Sequence, residues 1–141
     1  MAVQTTVRVE IDEARARALV QGEGSPVWDA VARAGGVTRD RAKLNLTVAG
    51  RVDTGQLRNQ VESEVVLRGQ EIVARVTSRA AHTMFVHDGT SGPIVPRRAR
   101  VLRFKPRGAT AFVFTPQVDG IAATPFLTDA LAELTIGDLL G

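Results

Sequence analysis

The 141-residue chain has no cysteine. That excludes disulfide scaffolds and thiolate metal sites, and leaves the redox compartment open. No apolar run approaches the roughly 20 residues a membrane helix needs, so no membrane partner is expected. The opening Met1-Ala2-Val3-Gln4 has neither a basic start nor an apolar core, so no signal peptide is expected. Aromatic residues make up only 4% of the chain, too few for the aromatic motif of a ribonucleoprotein fold. Acidic residues are absent between Asp88 and Asp119. No glycine is followed by lysine and a hydroxyl residue, so no phosphate loop exists. Gly89-Thr90-Ser91-Gly92 lacks the spacing of a nucleophile elbow.

What is present is ordinary for a globular domain: 44% hydrophobic, 23% charged, and a net charge of +3 from 18 basic and 15 acidic residues. The length fits one domain, residues 1–141, able to bury about two-thirds of its unfolded surface. Residues 1–60 read as mainly helical. Residues 6–11 alternate as a short strand or as the lead-in to a helix. Asp12 can cap a helix over 13–21, and Ser25-Pro26 reads as an N-cap with proline in the first helical position. Val27, Ala30, Val31 and Ala34 form one apolar stripe. Gly35-Gly36 is expected to break or kink that helix, and residues 39–43 to form a solvated charged turn. The helix resumes over 38–48, with Ala42, Leu44, Leu46 and Val48 partly buried.

After the 50–55 loop, Asp53 or Thr54 can cap a helical turn over 55–62 that points Leu57 and Val61 inward. Residues 61–121 hold two β-hairpins, with a basic loop at 87–107. The first pairs 63–67 with 72–77. The second pairs 101–105 with 110–115, with Leu102, Phe104, Phe112 and Phe114 expected on one face and Val101, Arg103 and Lys105 on the other. On this reading the three phenylalanines are core. Between the hairpins, Phe85 to Pro93 is a glycine- and proline-punctuated reversal. Thr124-Pro125 repeats the cap-plus-proline signal before a closing helix over 124–135. Its buried stripe is Phe126, Leu127, Ala130, Leu131 and Leu134, and residues 136–141 form a tail that frays or docks. The expected fold is α+β: N-terminal helices, an antiparallel sheet of about four to five strands built from two hairpins, and a C-terminal helix packed on the sheet.

Chemistry is sparse. His82 and His87 stand five apart with one acid beside them, a spacing that suits neither a helical nor a strand metal pair. No metal, cofactor or catalytic residue is expected, and the chain reads as a non-enzyme. Arg97, Arg98, Arg100, Arg103, Lys105 and Arg107 form the one dense charge cluster. It suits phosphates or an acidic protein surface, and equally a solvated face that protects an edge strand. No helix-turn-helix signal accompanies it.

Three short motifs occur in order: Val52-Asp53-Thr54-Gly55-Gln56-Leu57-Arg58, then Phe85-Val86-His87-Asp88-Gly89-Thr90, then Thr124-Pro125-Phe126-Leu127 with Ala130-Leu131. Together they resemble the small tail-component family of long-tailed bacteriophages, the tail-completion, neck or head–tail joining proteins. The motif positions are Asp53, Thr54, Gly55, Leu57, Val86, Gly89, Thr90, Pro125 and Phe126. Two positions depart from the family pattern: Arg51-Val52 replaces the usual proline, and His87 stands where the acid usually is, with Asp88 following. The resemblance implies a virion protein assembled in the host cytoplasm, a ring of identical copies, expected to be hexameric, between the head connector and the tail tube. Its partners would be itself, neck or stopper proteins, and tail terminator or tail tube proteins, with non-specific contact to passing double-stranded DNA. A tail terminator is the nearest alternative. A small basic DNA-binding accessory protein is the alternative from another class.

Overall fold

Short helix-capping signals set the first elements of the fold. The computed structural model describes residues 8–52 and 54–141. Thr6, Val7 and Asp53 therefore lie outside the described residues, and residues 8–12 form no strand. Asp12 caps α1 (Glu13–Val20), its carboxylate accepting from the backbone N–H groups of Ala14 and Arg15 at 3.1 Å. Ser25 caps α2 (Pro26–Val48), its hydroxyl accepting from the N–H of Trp28 at 3.1 Å. Proline in the first turn needs no N–H there, so it favours this start.

The expected break at Gly35-Gly36 does not occur, because α2 runs through both glycines for 23 residues. The reason is packing. A Cβ on Gly35 would lie 2.5 Å from Ser63 Oγ and 2.9 Å from the Ala74 Cβ, so the missing side chain lets the first hairpin rest on the helix backbone. That close approach offsets glycine's helix penalty of about 1 kcal/mol. Residues 39–43 are likewise helical rather than a solvated turn, and Ala42 is fully buried. Leu46 is buried as expected. Leu44 and Val48 are not, being 59% and 79% exposed on the opposite side of the helix.

Helix α3 (Gln56–Asn59) directs Leu57 into the core. It leads into β1 (Val61–Arg68), which pairs antiparallel with β2 (Glu71–Ser78) in the register Val61↔Ser78 to Arg68↔Glu71. Alternation divides the faces: Val61, Ser63, Val65, Ala74 and Val76 turn toward α2, while Glu64 and Arg75 form a cross-strand ion pair at 3.4 Å on the outer face. Next comes α4 (Thr83–Asp88), so Phe85 to Asp88 are helical and the expected reversal begins only at Gly89.

Beyond it, β3 (Leu102–Phe104) and β4 (Val113–Thr115) form the second hairpin. The α+β class holds, with the four described strands in two separate two-stranded sheets rather than one. The closing helix α5 (Phe126–Ala132) packs mainly on α2, with β2 contributing Val76 to the same cluster. Ala42, Leu46, Leu57, Val61, Ala80, Phe126 and Ala130 form that core. Leu131, expected in the buried stripe, is 61% exposed.

The tail docks as α6 (Ile136–Leu140). Thr135 and Asp138 form a capping box, and Arg41 reaches from α2 to both Asp138 carboxylate oxygens at 3.1 and 3.2 Å. The N–H and hydroxyl of Thr135, and then Arg41, hold the Asp138 carboxyl below the usual carboxylate range. A group whose pKa is lowered by folding stabilises the fold above its unfolded pKa, and that stability is lost as pH falls through the folded value. Melting temperature is therefore expected to fall on the acid side of the carboxylate range, and less steeply in Asp138→Asn. Thr135→Ala should cost about 1 kcal/mol at neutral pH, measured by denaturant unfolding.

Candidate functional site

The three sequence motifs, far apart in the chain, meet at one junction. Gly55 holds the N-cap of α3, Thr54 Oγ1 accepts from the N–H of Gln56 at 3.3 Å, and Leu57 enters the core. Just before this loop, Arg51 donates to Thr124 Oγ1 at 3.2 Å and to the Ala122 carbonyl at 3.0 Å. Thr124 is therefore not the cap of α5. Pro125 occupies that position, and Thr124 donates its own N–H to the Val86 carbonyl at 2.9 Å.

The middle motif is fixed as firmly. Thr90 donates its N–H to the Ile121 carbonyl at 2.9 Å, and its hydroxyl accepts from the Ile121 N–H at 2.8 Å. Gly89 has φ 74° and ψ −169°, a region only glycine enters readily. His87 ties α4 to α5: Nδ1 lies 2.7 Å from Asp88 Oδ1 and Nε2 3.2 Å from Thr128 Oγ1, while the ring meets Phe126 edge-on at 5.5 Å. Gly89, Thr90 and Thr124 thus share a structural task, which is to lock the exit of the chain from α4.

That exit borders an open groove of about 660 Å³. Phe85, Val86, Pro93, Ile94, Val95 and Ile121 give it a largely apolar lining, and Arg97 stands in its wall. An antiparallel bridge between Ile94 and Val118 closes the base of the second hairpin. The sequence reading names Phe85, Val86, Thr90, Pro93 and Arg97 of this lining, but not Ile94, Val95 or Ile121. The signal lay in the apolar Ile94-Val95 next to Pro93.

The basic cluster lies on the arm that follows. Arg97, Arg98, Arg100, Arg103, Lys105 and Arg107 are all exposed. Among the described residues, the first five form no ion pair, whereas Arg107 reaches back to the Val52 carbonyl at 3.4 Å. β3 and β4 pack mainly on each other.

The register corrects the expected faces. Leu102 opposes Thr115, Arg103 opposes Phe114 and Phe104 opposes Val113. Directly opposed residues share a face, so Phe114 lies on the side of Arg103 and not with Phe104. Phe112, two residues earlier, lies under the Arg103 guanidinium at 4.1 Å from the ring centroid. Nor are these rings core: Phe112 is 50% exposed, Phe114 63%, and Phe104 is exposed as well.

No group of three or more metal-ligating side chains is clustered among the described residues, and no helix is long and apolar enough to cross a membrane. The site offers contact surface: a locked pivot, an apolar groove and a cationic, aromatic arm. No family model, curated protein or solved structure matches the chain.

Proposed function

We propose that this chain is a structural subunit of a tailed-bacteriophage virion, a tail-completion or head–tail joining protein that acts by assembly and not by catalysis. In this reading, identical copies close into a ring, a hexamer by the resemblance, between the head connector and the tail tube. The observation that carries the proposal is an excess of surface. The chain exposes 10823 Å², against about 7,100 Å² for a compact monomer of its mass.

Part of the excess is apolar and falls in two different parts of the fold. Met84, Phe85 and Val95 belong to the pivot and the groove beside it, while Leu19, Val20, Ile136 and Leu140 belong to α1 and α6. A closed ring of identical copies needs two unlike patches on each copy, and these two regions supply candidates. Exposed apolar surface on this scale marks a surface that a partner covers. The convergence of the three motifs on one junction also supports the reading, since motifs that maintain a scaffold need to meet in space.

Loss of the gene, by a stop codon early in the reading frame, is expected to leave filled heads and free tails that do not join. Joined, infectious particles made without the protein would refute the proposal. The arginines at 97, 98 and 100 are the candidates for touching passing DNA at its phosphates.

A further inference from the structure

We infer that the outer face of the β3–β4 arm binds single-stranded nucleic acid, with Phe112 and Phe114 stacking on unpaired bases and Arg103 and Lys105 meeting the phosphates between them. This goes beyond the ring reading and does not rest on it.

The argument starts from the register. Arg103 and Phe114 are directly opposed, Phe112 precedes Phe114 by two residues, and Lys105 follows Arg103 by two. The pairing places Arg103 and Phe114 on one side of the ribbon, the Arg103 guanidinium over Phe112 puts that ring beside them, and Lys105 follows just past the end of β3. The reverse side carries Leu102 and Thr115, which are half-buried, and Phe104 and Val113, which are 37% and 40% exposed. The outer face is the more open of the two, with both rings at least half exposed.

Two features select the partner. The first is charge complementarity: Arg97, Arg98, Arg100, Arg103 and Lys105 have no acidic partner among the described residues, so the arm presents a field that calls for a polyanion. The second is the pairing of cations with flat rings. A duplex offers phosphates but keeps its base faces stacked inside, so exposed phenyl rings gain nothing from it. An unpaired strand offers both groups in alternation, and ring–base stacking tolerates any sequence. The guanidinium of Arg103, already lying on the Phe112 ring at 4.1 Å, is positioned to serve a phosphate beside a stacked base.

The test is fluorescence anisotropy of the intact chain with a labelled oligothymidylate and with a duplex of equal length, each over a salt series. The oligothymidylate is expected to bind more tightly. The double variant Phe112→Ala, Phe114→Ala should weaken its binding at least about tenfold while leaving the salt slope unchanged. The double variant Arg103→Gln, Lys105→Gln should lower the slope of log K against log salt by about 1.4. All four side chains are exposed, so unchanged melting curves are expected for both variants. Equal affinity for the duplex with no effect of the phenylalanine pair would overturn the inference, as would no binding of oligothymidylate. So would finding that the face is buried between copies of the chain in solution. These results would not touch the ring reading, which the joining of heads and tails decides separately.

Discussion

Replacing Gly89 with alanine is expected to destabilise the fold by about 3 kcal/mol or more and to loosen the pivot. Two independent effects add. The backbone at φ 74°, ψ −169° costs a non-glycine residue about 1–3 kcal/mol by itself. A Cβ there would also stand 2.7 Å from the Ile121 carbonyl oxygen and 2.8 Å from the Ala123 nitrogen. Both are backbone atoms, so relief requires moving the segment that carries the Thr90–Ile121 and Thr124–Val86 hydrogen bonds. Gly36→Ala is the matched control. Nothing lies within 4 Å of that Cβ position in the interior of α2, so the exchange should be neutral or stabilise by up to about 1 kcal/mol. Urea unfolding of the two variants checks the pair. A neutral Gly89→Ala would mean that the pivot is not held as described.

Phe126→Ala is expected to have the largest effect of any single truncation, about 3–5 kcal/mol. The ring is fully buried in the cluster formed by Leu46, Leu57, Val61 and Ala130, and it supports His87 edge-on. Against a total stability of about 5–15 kcal/mol, that loss leaves a marginal fold. Because His87 bridges α4 to α5 through Thr128, the cavity should also free the pivot. Faster amide exchange at residues 83–90 is therefore expected even where the variant remains folded. Leu131→Ala on the same helix should change stability by no more than about 0.5 kcal/mol, because Leu131 is largely exposed. Equal costs for the two truncations would contradict the placement of the core.

Local rules made a good part of this legible from the residues. Asp12, Ser25 and Pro26 announce the helix starts through hydrogen bonds and a fixed φ that depend only on near neighbours. The first hairpin was legible for the same reason, because valine-rich strands flank a glycine turn. The errors arose where a distant element decides. Gly35 looks like a helix break until Ser63 and Ala74 are known to press against it. The charges at 39–43 look like a turn, yet Ala42 among them is buried by α5 and its neighbours.

The arm shows the same limit in a strand. Phe112 and Phe114 alternate correctly with each other, but which side of the ribbon they share is set by the pairing of Arg103 with Phe114. That pairing places them with the cations, outside. The candidate site was half visible: its motif residues could be named, while the groove they border needs Ile94, Val95 and Ile121 brought together from two segments. Thr124 has the residue type and position of a helix cap. Arg51, arriving from 73 residues away in the chain, takes its hydroxyl instead.

On the proposed reading, the most direct measurement is a cryo-microscopy map of the neck of the virion that would contain the chain. The account predicts a ring of identical copies of this fold between connector and tail tube, with the pivot and its groove in each copy against α1 or α6 of the next. A neck built without this fold, or purified particles that lack the protein, would contradict it.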